Sequence, residues 1–170
     1  MAEIDNVALE RAARGLVAAY LAEKELGQAT WYGMANELGA AYRQNSLVGV
    51  AAVAAGLYRE WQEITGDPWP WLCECVDKYV EGTIDVVTRR MLDECNELIV
   101  RLLEVPQSRD RVQEVAGSLG LKHGPAALEP LLTLVYVVCS EIGNRAGVTA
   151  LEIFQAFALH NERHVTELEQ

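Results

Sequence analysis

Asp77, Glu81 and Asp85 stand four residues apart, a spacing that sets three carboxylates on one face of a helix. Acids so grouped are the raw material of a divalent-cation site, because hard cations gather oxygen ligands from several side chains. Helical bundles that bind metal this way add ligands from facing helices, typically as Glu-x-x-His. No Glu-x-x-His occurs in this chain, so the expected reading is a solvated acidic stripe with no metal.

A second constellation is "HNERH", where His160 and His164 lie one turn apart and Glu167 shares their face. A zinc-protease helix sets its glutamate directly after the first histidine; Asn161 occupies that place here. The pair also lies opposite the apolar stripe of Leu151, Phe154, Ala158 and Val165, so solvent exposure accounts for it. Cysteines at 73, 75, 95 and 139 supply only one close pair, Cys73-x-Cys75, too few for a zinc set. All four are expected as buried or partly buried thiols. Nucleophile elbows and phosphate-cradling glycine loops are missing from the sequence, which points to a non-enzyme without cofactor.

"RVQEVAGSLGL" (111–121) has the look of a helix-turn-helix, but the helix after it, "GPAALEPLLTLVYVV", offers no arginine, lysine, asparagine or glutamine to base edges. The formal net charge of −11 likewise speaks against a free-standing nucleic-acid binder and for a soluble chain or one with a basic partner. The opening "MAEIDNVALERAARG" has no apolar signal segment, so a cytoplasmic location is expected. "QNSLVGVAAVAAGLY" (44–58) and "PAALEPLLTLVYVVCS" (125–140) fall short of the roughly 20 apolar residues of a membrane span. They read as core helices, with no membrane partner.

What positions these residues is helix throughout. The 3.6-residue periodicity predicts an all-α bundle of about six to seven helices. The first runs Asn6 to Leu26, with apolar stripe Leu9, Ala13, Leu16, Val17, Tyr20 and Leu21, and ends at Gly27. A second begins near Thr30, its inner face Trp31, Met34, Ala35, Leu38, Ala41 and Tyr42. Ser46 is a candidate cap for a third, which runs to Ile64 and stops at Gly66. Gly49, Ala52 and Gly56 would let neighbouring backbones come close.

"GDPWPWLCEC" (66–75) follows, with Asp67 as cap and Pro68 at the first helical position. Trp69 and Trp71 then fall in the first turn of a new helix at a sharp corner. Burial there packs the joint; exposure would make the pair a partner interface. The helix they open is long, about 68–104, and would extend about 50 Å. Glu74–Lys78, Asp85–Arg89 and Glu97–Arg101 are favourable pairs on its outer face. "EVPQSRD" (104–110) marks a boundary between a bundle, 1–105, and a C-terminal helical module, 106–170, packed on it. The module holds a short helix (109–119), a buried helix (125–143) and a last helix boxed by Thr149 and Glu152.

The segment "WYGMANELGAAYRQNSLVGVAAVAAG" (31–56) resembles the helical hairpin of the small subunit of type III-B CRISPR effector complexes, the Cmr small-subunit family. Trp31, Met34, Ala35, Leu38, Arg43, Gln44, Leu47, Ala52 and Val53 carry the likeness. A second block, "DVVTRRMLDECNELIVRLLE" (85–104), resembles that family's last helix through Thr88, Arg89 and Leu92. The likeness spans about residues 5–105. Gly39 stands where the family has proline, Ser46 where it has glycine, and the acidic balance departs from the family's basic face.

The resemblance implies a non-catalytic subunit of an RNA-guided antiviral complex, stacked as a filament along the guide–target duplex. Such a subunit contacts RNA backbone, neighbouring subunits and further copies of itself. Arg43 and Arg89, with Arg90 beside it, are the positions that would neutralise phosphate. Ion pairing of these arginines with nearby acids, for instance Arg89 with Asp85, is an equal alternative. The rival reading of the whole chain is an acidic helical interaction module, an adaptor or inhibitor, with no nucleic-acid contact.

Overall fold

A computed structural model describes residues 6–27, 31–66, 86–103 and 109–169. They form seven α-helices and, among the described residues, no strand: α1 Asn6–Leu26, α2 Trp31–Tyr42, α3 Gln44–Thr65, α4 Val86–Leu103, α5 Arg109–His123, α6 Leu128–Ala146 and α7 Ala150–Glu169. A 3-10 turn, Gly124–Ala127, links α5 to α6. The all-α bundle is thus as the periodicity predicts.

Two helices make the centre. α6 is apolar on nearly every side and buries Leu128, Pro130, Leu131, Leu132, Leu134, Val135, Val137, Val138, Cys139 and Gly143. A helix of that composition is stable only when enclosed, and α1, α3, α4 and α7 pack around it. Pro130 is tolerated because it sits in the first turn, where its missing N–H breaks no ladder bond. α3 is the second hub and touches α1, α2, α4, α5 and α6. Residues on both sides of the 104–110 segment share one buried cluster, from Leu9 to Phe157.

Small residues set how closely the helices approach. A methyl group at Gly49 would meet Leu9 Cδ1 at 3.0 Å, and one at Gly56 would meet Phe157 Cζ at 3.1 Å. These positions seat α3 against α1 and α7, as the small-residue pattern suggests. Gly143 is tighter still: a methyl there would lie 2.6 Å from the Val148 carbonyl oxygen. Val148 N–H in turn donates to the Gly143 carbonyl at 3.0 Å, which folds the α6–α7 corner back on the helix. Thr149 caps α7 by accepting the Glu152 N–H at 3.1 Å.

Three expectations need correcting or bounding. Ser46 does not cap α3; the helix starts at Gln44, three residues sooner than such a cap requires, and Ser46 is buried within its first turn. Its hydroxyl donates back to the Arg43 carbonyl, so it ties off the corner from inside the helix. Ala41 faces solvent rather than the core. Of the long helix expected over 68–104, Val86–Leu103 is observed, and the stretch from 68 to 85 lies outside the described residues.

Candidate functional site

Arg43 occupies the corner between α2 and α3. One residue joins the two helices: Arg43 N–H closes α2 on the Gly39 carbonyl at 2.9 Å, and its carbonyl receives Ser46 N–H at 3.0 Å to open α3. To serve both ends its backbone takes φ 53° and ψ −126°. Among the described residues it is the one non-glycine with positive φ. L-residues avoid that region because the side chain crowds the carbonyl, at a cost of about 1–3 kcal/mol. The sequence places a break near 44–46, but nothing in it marks Arg43 as the turn, since arginine is not a turn residue.

Arg43 is exposed and borders a cavity of about 320 Å³. Gly39, Gln44, Ser46 and Leu47 form its near wall; Gly117, Gly120 and Leu121 of α5 and Gly124 form the other. Four of the lining residues are glycines, beside Gln44, Ser46, Leu47 and Leu121. Gln44 Cβ lies 3.6 Å from where a methyl on Gly120 would stand, so α5 approaches the start of α3 closely. Leu121 is 92% exposed at the edge. The arrangement offers a guanidinium beside an open, partly apolar hollow, which suits an anion.

Arg89 and Arg90 lie in the first turns of α4 and do not line that cavity. Arg89 is paired with Asp93, Nε to Oδ1 3.9 Å, on an exposed i,i+4 face. Its expected partner Asp85 lies outside the described residues. Arg90 is exposed. Further along α4, Glu97 pairs with Arg101 at 3.7 Å, as expected. Glu94 takes both Lys122 at 3.4 Å and His123 at 3.5 Å, fastening α4 to the end of α5. Arg59 donates to the carbonyls of Leu102 (2.8 Å) and Leu103 (3.4 Å), capping the negative end of α4.

Trp69 and Trp71 lie outside the described residues, as do Cys73, Cys75, Asp77 and Glu81. His160 is exposed beside a groove lined by Leu57, Trp61, Ile142, Ile153 and Phe157. Among the described residues no group of three histidines, cysteines or acids is placed to hold a metal. Cys95 and Cys139 are free and buried. Desolvation pushes both thiols up to about 12, with the Glu94 charge adding to the rise at Cys95. Thiols held neutral in this way are packing groups rather than nucleophiles.

The helix-turn-helix resemblance is removed by burial, because α6, the second helix, is the enclosed centre of the bundle. No single described helix is long and apolar enough to cross a membrane. Two features escaped sequence reasoning. Arg145 stacks over the Trp61 ring at 4.9 Å, a pairing across 84 positions that periodicity does not reveal. Arg11 and Arg14 border a trough between α1 and α7; their i,i+3 spacing beside Gly15 and Ala18 was the available signal. Comparison with models of protein families, with curated proteins and with solved structures finds no match to this chain.

Proposed function

We propose that the chain is a non-catalytic helical subunit of an RNA-guided antiviral effector complex, contacting RNA backbone through Arg43 and neighbouring subunits through its helical surfaces. Arg43 carries the reading. It is an exposed guanidinium on a glycine-favoured backbone, at the mouth of a hollow whose lining includes four glycines. Strain of this kind is retained where the placement of a side chain matters more than local stability. The first-turn amides of α3 add partial positive charge at the same point. The hairpin over 31–56, which resembles that of the Cmr small-subunit family, supplies the context: the resemblance makes Arg43 a candidate for phosphate contact.

A second reading, an acidic interaction module without nucleic-acid contact, is favoured by a specific observation. Arg89, Arg101 and Lys122 are each held by an acid of the chain itself. Phosphate would have to compete with those carboxylates. Fluorescence anisotropy with single-stranded RNA of guide length, at low and moderate salt, separates the readings. The effector-subunit reading expects salt-sensitive binding that falls about tenfold or more in Arg43→Glu and less in Arg89→Glu. Equal affinity of wild type and Arg43→Glu, or no binding at low salt, would favour the acidic module.

A further inference from the structure

The trough between α1 and α7 has a charge opposite to that of the chain. Its walls repeat at helical spacing: Arg11, Arg14, Gly15 and Ala18 on α1, and Phe154, Gln155, Ala158 and Leu159 on α7. That is about two turns of α1 and somewhat less of α7, bordering a volume of about 430 Å³. Phe154 is buried and belongs to the core, whereas Leu159 is 52% exposed at the rim. Arg11 is exposed and Arg14 half-buried. Neither is paired with an acid among the described residues, although the chain carries 25 acids to 14 lysines and arginines.

We propose that this trough seats an acidic amphipathic helix of a partner protein, its carboxylates on Arg11 and Arg14 and its apolar face over Ala18, Ala158 and Leu159. A helix-in-groove seat takes an amphipathic helix through apolar anchors spaced i, i+3 or i+4, and i+7, and this trough lies between two helices. Ala18 and Ala158 keep the apolar floor low, and arginine suits such a rim because its guanidinium grips carboxylate bidentately while its stem covers apolar surface. Charge decides the chemistry of the occupant. A net charge of −11 repels an acidic helix from most of the surface, so two arginines one turn apart on an apolar floor favour its seating here. This inference is independent of RNA binding at Arg43.

The test uses the full chain and two fluorescein-labelled synthetic helices of roughly 15 residues, long enough to span the trough's two turns. Both carry the same leucine face; one has glutamates flanking it, the other lysines at those positions. Long-range electrostatics alone favour the lysine peptide. The proposal expects the glutamate peptide to bind about tenfold tighter in anisotropy titrations. Arg11→Glu/Arg14→Glu should reverse the preference, and Leu159→Asp should weaken the glutamate peptide. Circular dichroism confirms that each variant keeps its helix content. Equal binding of the two peptides, or a preference that survives the double charge reversal, overturns the proposal. So does a concentration-dependent dimer abolished by Arg11→Glu/Arg14→Glu without any acidic-peptide preference, since the occupant would then be a second copy.

Discussion

The hydroxyl of Tyr20 lies 3.1 Å from Thr133 Oγ1, joining α1 to the middle of α6 across 113 residues. Thr133 Oγ1 is also 3.0 Å from the Glu129 carbonyl one turn earlier. The Tyr20 ring meets Trp31 edge-on at 5.2 Å, so one side chain ties three helices together. Tyr20→Phe keeps the ring and removes the bond, and should lower stability by about 1 kcal/mol in urea unfolding. Tyr20→Ala, which also empties the α1–α2–α6 junction, should cost about 3–5 kcal/mol. Equal losses in the two variants would contradict the division between hydrogen bond and packing.

The glycines of the bundle are not equivalent. Gly143→Ala drives a methyl into the Val148 carbonyl, where backbone rather than a flexible side chain must move. Thermal unfolding should report a loss of about 1–3 kcal/mol. At Gly15 the added methyl would meet only Met34 Cε at 3.5 Å, an ordinary contact. Gly15→Ala should therefore be neutral or gain up to about 1 kcal/mol from helix propensity.

Arg43 sets stability against binding. Arg43→Gly relieves the positive-φ strain and should raise the unfolding midpoint, by an amount equivalent to about 1 kcal/mol. The same variant removes the guanidinium at the cavity mouth and should weaken RNA binding. Stabilisation without loss of binding would detach the strain from function.

Cys95 and Cys139 supply a pH signature. Their thiols titrate near 9 when unfolded and are pushed up to about 12 when folded. Below the lower value both states are protonated and the thiols contribute no pH dependence. Between the two the unfolded state loses protons that the folded state keeps, so stability falls as pH rises. The urea midpoint should decline from about pH 8.5 upward, less steeply in Cys95→Ala/Cys139→Ala. In the native chain at neutral pH, peptide mapping should find these two thiols unalkylated by iodoacetamide.

Much of the architecture was legible because helix periodicity is a local signal. Asn6–Leu26 and its stripe, the Gly66 stop and the Thr149 cap all follow from near-neighbour patterns. The long-range links were not legible. Tyr20 with Thr133 and Arg145 over Trp61 depend on how the helices stack, which no single period encodes. Ser46 illustrates a local failure: serine suits an N-cap, but its hydroxyl is also satisfied from the first turn, and the Arg43 carbonyl takes it there. At the candidate site, sequence pointed to Arg43, Arg89 and Arg90 as a set. The fold leaves Arg43 at a cavity while Asp93 holds Arg89, because i,i+4 pairing on α4 is available without any partner.

The central claim, membership of an RNA-guided complex, is tested most directly by purifying the affinity-tagged chain from its native host at physiological salt. Mass spectrometry and RNA sequencing then identify what accompanies it. The account predicts larger subunits together with RNA of uniform guide length, both depleted when the tagged chain carries Arg43→Glu. A nucleic-acid-free monomer, or an assembly whose composition is indifferent to Arg43, would contradict it.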